Sequence, residues 1–113
     1  MKNMENCLFC KIVNKQINSE IIYENDDVLV FKDINPKAPV HLLVIPKKHV
    51  SSIIDIEELS EKQVNEMLKA IAKIAKDMGL NKDGFRVVTN TGASAGQSVD
   101  HLHFHILGKR SFN

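Results

Sequence analysis

The stretch "HLHFHILG", His101 to Gly108, places three of the chain's five histidines on alternate positions. Side chains of a β-strand point to opposite faces in turn. Read as a strand, the stretch therefore sets His101, His103 and His105 on one face and Leu102, Phe104 and Ile106 on the other. One face is imidazole and the other is core. Three imidazoles on one face suit a metal site, a pH sensor or a catalytic apparatus, and a solvated strand face would carry them too.

Just upstream, "TGASAGQSVD" (residues 91–100) is a loop rich in glycine and serine. Gly92, Gly96, Gln97 and Ser98 offer main-chain N–H groups and a hydroxyl beside the first histidine, the material of an anion-holding loop. It is neither a Walker A loop, because no Gly-Lys-Ser/Thr follows, nor a dinucleotide fingerprint, because it does not open a helix. An ordinary flexible connection stays open as an alternative.

Further out, "GFRVVTN" (84–90), "EIIYEN" (20–25), "DVLVFKDI" (27–34) and "HLLVIPKKHV" (41–50) are rich in β-branched and aromatic residues and read as four more strands. A tight turn is expected at Asn25-Asp26-Asp27, and Asn35 to Pro39 form a second break. Ser60 and Gln63 make a capping box that starts a long helix. Its apolar stripe is Val64, Met67, Leu68, Ile71, Ile74, Ala75 and Met78, and Gly79 suits its left-handed end. Near the start, Leu8, Ile12 and Val13 recur at near-helical spacing, with Asn6 as N-cap of a short helix over residues 7–14. The pattern predicts an α+β fold: a five-stranded antiparallel sheet, a short N-terminal helix and one long helix. The short connections allow a crossover between parallel strands only through the Ser60 helix.

At 113 residues the chain has the length of a single domain, residues 1–113, with one core. Apolar residues make up 43%, charged residues 26%, and the net charge is +1, which gives no field for nucleic acid and no sign of disorder. The first residues lack the apolar stretch of a signal peptide, and no run approaches the roughly 20 apolar residues of a membrane span. A cytoplasmic protein with neither nucleic acid nor membrane as partner is expected. Cys7 and Cys10, the only cysteines, lie three apart. In a reducing compartment this spacing suggests metal binding or redox chemistry more than a structural disulfide, with two unrelated buried thiols as the alternative.

"HLHFHILG" resembles the His-x-His-x-His motif of the histidine triad superfamily of nucleotide hydrolases and transferases. The chain is similar to its Hint branch in three blocks that occur in order: "CLFCKIV", "VFKDINPKAPVHLLVIPKKHV" and "GQSVDHLHFHILG". The resemblance implies a homodimer that binds a purine nucleoside monophosphate and hydrolyses bonds at its α-phosphate, like an adenosine 5′-monophosphoramidase. His103 would be the nucleophile that forms a nucleotidyl-histidine, its other ring nitrogen bonded to a main-chain carbonyl. His105 would meet the phosphate oxygens and Ser98 the leaving group or phosphate. Asn90 would lie beside the 5′ side, and loop N–H groups at Gly96 and Gln97 would stabilise the phosphoryl charge. Asp33 would bind the ribose hydroxyls. Phe9, Ile12, Phe31, Ile34 and Leu43 would wall the base and sugar, plain core packing being the alternative for Ile12 and Leu43. His41 matches an additional histidine behind the triad.

The same resemblance, to the bacterial zinc-binding subgroup, implies one structural zinc held by Cys7, Cys10, His49 and a triad histidine. His103 cannot be both a ligand of a closed site and a free nucleophile, so that histidine is expected to be His101. Two departures leave the leaving group open. The chain ends at Asn113, without the longer C-terminal tail of some relatives, and Asp100 stands where several carry an aromatic residue. A nucleoside phosphoramidase is the first expectation and a dinucleoside polyphosphate hydrolase the second. A non-enzymatic, zinc-stabilised nucleotide- or partner-binding module is the third.

Overall fold

Two segments, Val28–Lys32 and Val40–Pro46, carry apolar side chains at nearly every position, the pattern of strands covered on both faces. In the computed structural model, which describes residues 6–109, they are β2 and β3 in the middle of a five-stranded sheet. The other strands are β1 (Ile21–Glu24), β4 (Phe85–Val88) and β5 (Phe104–Gly108). Their spatial order is β1-β2-β3-β5-β4, with every neighbouring pair antiparallel. Strands β3 and β4 thus run the same way with β5 between them, and helix α2 (Glu61–Asp77) spans the crossover that the sequence reserved for it.

Local chemistry explains the elements. In the β1–β2 turn the Asn25 side chain accepts from the N–H groups of Asp27 and Val28 at 2.8 and 3.0 Å. The capping box of α2 is complete, with Gln63 N–H on Ser60 Oγ at 3.1 Å and Ser60 N–H on Gln63 Oε1 at 2.8 Å. Gly79 follows α2 at φ 72° and opens a one-turn helix, α3 (Leu80–Asp83). A Cβ on Gly108 would lie 2.7 Å from Leu80 Cδ2, so glycine lets β5 end against α3.

Val28, Val30, Leu42, Val44 and Ile106 point from the sheet toward α2, where Met67, Ala70, Ile71, Ile74 and Ala75 meet them. Leu29, Phe31, Leu43 and Ile45 point to the opposite face, onto the short helix α1 (Leu8–Val13).

The structure corrects several expectations. The N-cap of α1 is Cys7 and not Asn6, because the Cys7 sulfur accepts from Cys10 N–H at 3.4 Å. Leu68 is 54% exposed and leaves the core stripe, since it lies about a quarter turn from the stripe's centre. Strand β3 stops at Pro46 and β5 begins at Phe104, so His49 and the first two triad histidines lie off the ladder. Short 3-10 turns at Ile53–Glu58 and Ala93–Ala95 and helix α3 carried no expectation. Residues 110–113, on which the expectation of a short tail rests, lie outside the described residues. Among the described residues no helix is long and apolar enough to cross a membrane.

Candidate active site and metal centre

The main chain of residues 101–103 is held by partners outside the ladder. His101 N–H donates to Val99 O at 2.9 Å, Leu102 N–H to Val50 O at 2.8 Å, and Thr89 Oγ1 to His103 O at 2.7 Å. Side chains still alternate: Leu102 and Ile106 are buried on the α2 face with Phe104 packed against them, while the three histidines gather on the α1 face.

Four of the five imidazoles have their tautomers set by chains of hydrogen bonds that start from a main-chain group able to play only one role. A carbonyl only accepts, so His103 Nδ1, 2.7 Å from His101 O, carries hydrogen and leaves the lone pair on Nε2. His101 Nε2 lies 2.9 Å from Pro46 O, which leaves the His101 lone pair on Nδ1. Lys37 N–H donates to His41 Nδ1 at 3.0 Å, so His41 Nε2 carries hydrogen and donates to His105 Nδ1 at 2.9 Å. His105 is left with a donor at Nε2. Burial is the main cause that lowers both His101 and His105 to about 4. Neighbouring imidazoles push the same way, against the Pro46 carbonyl for His101 and Asp33 for His105. Burial also lowers His41, again with Asp33 opposing. At neutral pH His101, His105 and His41 are therefore uncharged, and the lone-pair assignments hold.

On one side of His103, four donors converge. His101 Nδ1 lies 3.4 Å from Cys7 Sγ, 3.5 Å from Cys10 Sγ and 3.2 Å from His49 Nδ1, and Cys10 Sγ lies 3.2 Å from His49 Nδ1. Tetrahedral zinc with sulfur at about 2.3 Å and nitrogen at about 2.0–2.1 Å needs donor separations of about 3.3–3.8 Å. The set of Cys7, Cys10, His49 and His101 is thus compatible with a zinc site. Burial, with Cys7 adding, pushes the Cys10 thiol up to about 12, so Cys10 needs a cation beside it to become a thiolate ligand.

On the other side, Asp33, His41 and His105 also lie within ligand reach of one another. Here the chemistry argues against a metal. The Lys37 N–H occupies His41 Nδ1, so Nε2 presents hydrogen and no lone pair. This group is a hydrogen-bond relay.

Beside His103, His105 and Asp33 opens a cleft of about 240 Å³. Of the expected substrate residues it is lined by Phe9, Ile12, Phe31, Asp33, Ile34, Leu43, Ser98, His103 and His105. The Phe9 ring meets His103 edge-on at 5.0 Å and His101 at 5.9 Å. Ile34, 86% exposed, is a rim residue and not an enclosed wall. His41 is buried behind His105 and Asp33, its Nε2 2.9 Å from His105 Nδ1 and 3.4 Å from Asp33 Oδ2, and does not itself line the cleft. Asn90 and Gly96 lie beside each other outside the cleft lining.

The loop differs from its expected anion-holding role. The N–H groups of Gly92, Gly96 and Gln97 are spent on Gln97 Oε1, Ala93 O and Gly92 O. Gln97 Nε2 donates to Ser51 O at 2.7 Å and Val99 O at 3.0 Å, so this side chain braces the loop. Ser98 and Val99 are the loop residues that line the cleft, and Ser98 brings a hydroxyl.

Sequence reasoning missed Thr89, Val50 and Pro46, which act through one hydroxyl and two main-chain carbonyls. No residue-type signal marks such carbonyls. It also missed Ile17 and Val99 in the cleft wall.

Three alternating imidazoles on the extended segment that leads into the last strand of this sheet, with only His105 on the strand itself, define a histidine triad domain. Residues 14–112 match the HIT domain family, and the chain belongs to that family. A purine nucleoside phosphoramidase of Escherichia coli K12 is 40% identical over 106 residues, which cover 94% of this chain and 89% of the relative. A HIT family hydrolase structure from Clostridium thermocellum superposes with a TM-score of 0.88 at 43% identity, covering 98% of this chain and 96% of its own. A histidine triad protein structure from Clostridium difficile gives 0.87 at 47% identity, covering 100% and 97%.

Proposed function

We propose that the chain is a nucleoside phosphoramidase that cleaves the bond between an α-phosphate and an amine through a covalent intermediate on His103. One observation carries the reading: a main-chain carbonyl holds His103 Nδ1–H, so the Nε2 lone pair of a cleft-lining imidazole is available to attack phosphorus. In the first step the Nε2–P bond forms as the P–N bond breaks, and the amine departs with a proton taken from solvent. Water then attacks phosphorus and the Nε2–P bond breaks, so that the hydroxyl stays on the released nucleoside monophosphate and the proton returns to solvent. His105 Nε2–H donates to a phosphate oxygen, and the Ser98 hydroxyl contacts the leaving nitrogen or phosphate. Asp33 takes the ribose hydroxyls of a purine nucleotide, against the apolar wall of Phe9, Phe31 and Leu43. Resemblance supports roles at the 5′ side for Asn90 and near the phosphoryl group for Gly96, although neither lines the cleft.

A zinc ion on Cys7, Cys10, His49 and His101, one per chain, would neutralise the two thiolates and pin α1 to the triad segment. With four protein ligands the site is closed, and the ion's task is structural. The chain also reads as a cytoplasmic homodimer. The four-residue edge strand β4, with Val87 42% exposed, offers a surface for pairing, and light scattering should find two chains per particle.

The test is rapid quenching of protein mixed with adenosine 5′-phosphoramidate, followed by mass analysis of the peptide containing His103. An adenylyl adduct that decays as AMP appears is expected. His103→Ala should lose the adduct and at least about 1,000-fold in kcat/KM. Undiminished turnover by His103→Ala would refute the nucleophile and leave the nucleotide-binding module as the better reading.

A further inference from the structure

We infer that the groove on the thiol side of Ser98 is the leaving-group subsite, and that Asp100 makes it select leaving groups bearing positive charge. The inference rests on the phosphoramidase reading and adds a substrate class to it.

Two cavities meet at one wall. Leu8, Ser98 and Val99 line both the cleft of about 240 Å³ that holds His103 and a wider groove of about 630 Å³. In-line displacement puts the attacking nitrogen and the leaving atom at opposite sides of phosphorus, so nucleoside and leaving group need separate room. With the nucleoside against Phe31 and Asp33, the free space past Ser98 is the wider groove.

Charge decides what fits there. Besides the shared wall and two of the thiol-cluster residues, the groove is lined by Asn6, Ser51 and Asp100. Among the described residues no lysine or arginine lines it and Asp100 makes no ion pair. A polyphosphate leaving group would bring several negative charges against the Asp100 carboxylate, which repels them. An amine whose far end is an ammonium meets Asp100 as partner, with the Ser51 and Asn6 side chains as further acceptors. The groove therefore distinguishes the two enzymatic expectations by sign of charge, in favour of amines and against dinucleoside polyphosphates.

The experiment compares adenosine 5′-phosphoramidates whose leaving amines have equal length and end in an ammonium, a methyl or a carboxylate, together with diadenosine tetraphosphate and the unsubstituted phosphoramidate. The readout is the ratio of kcat/KM values within one protein, so any general loss in a variant cancels. The native chain should prefer the ammonium over the carboxylate by about tenfold at low salt, and less at high salt. Asp100→Asn should bring that ratio to within about threefold, and Asp100→Lys should invert it. Equal ratios in the native chain and Asp100→Asn, or a native preference for diadenosine tetraphosphate, would overturn the inference. If the native chain left even the unsubstituted phosphoramidate intact, the phosphoramidase reading would fall first, and this inference with it.

Discussion

The two faces of the sheet are built from the same strands and do opposite work. On the α2 face, Leu102 and Ile106 alternate with the histidines and join an unbroken apolar cluster. On the α1 face the cover is a helix of six residues, and His101, His103 and His105 take positions that core residues would otherwise fill. One face supplies stability without chemistry. The other carries His101 and His105, held neutral by burial, at a cost in stability that the first face offsets. The comparison teaches that a buried histidine array needs an ordinary core at its back.

Truncating the α2 face should separate the two most clearly. Ile106→Ala is expected to lose about 2–5 kcal/mol, measured by urea unfolding, because Ile106 is fully buried. Turnover per folded molecule should change little. A stability loss below about 1 kcal/mol would mean the two faces share the load. On the α1 face, Cys7→Ser should lower bound zinc from about one per chain and reduce Tm by several degrees, read by metal analysis and calorimetry. Native protein purified under reducing conditions with no zinc would break that half of the comparison.

Acid should weaken the α1 face selectively. His105 titrates at about 4 in the fold against 6.5 ordinarily. Above 6.5 both states are neutral there. Below it the unfolded chain binds a proton that the fold refuses, so stability falls as pH drops from 6.5 toward 4. From pH 7 to 5 the loss from His105 should be about 1 kcal/mol, after discounting its partial exposure. His105→Asn should show a shallower fall in the urea midpoint; an identical slope would remove His105 from the account. The smallest effect is expected for Thr89→Val, which frees the His103 carbonyl. About three- to tenfold in kcat should be lost with Tm nearly unchanged, and a loss confined to KM would argue against a positioning role.

How far these features were legible depended on whether they reside in side-chain pattern or in main-chain partnership. All five strands and the Ser60 helix were readable because hydrophobic period and capping are local. The faces of residues 101–106 were readable too, even where no ladder exists, because extended backbone alternates whether or not it is paired. The ends of β3 and β5 were not. Val50 O, Val99 O and Thr89 Oγ1 take over the triad segment's main chain, and nothing in their residue types announces it. The cap of α1 was misplaced for a related reason: asparagine is the usual cap, but the Cys7 sulfur already faces the first turn. The glycines of residues 91–100 signalled a loop correctly. That the N–H groups of Gly92, Ala95, Gly96 and Gln97 turn inward is a property of its closed hydrogen bonds.

Helix α1 has one further consequence. Six residues are too few to sustain a helix in water. Yet its Phe9 is the ring that stands against both His101 and His103, and it is flanked in sequence by the two thiols. The segment is best regarded as a latch whose catch is the sulfur pair. Opened, it would withdraw Phe9 and Ile12 from the cleft together, so that the pocket and the nucleophile's packing would be lost in one event, with the sheet beneath still standing.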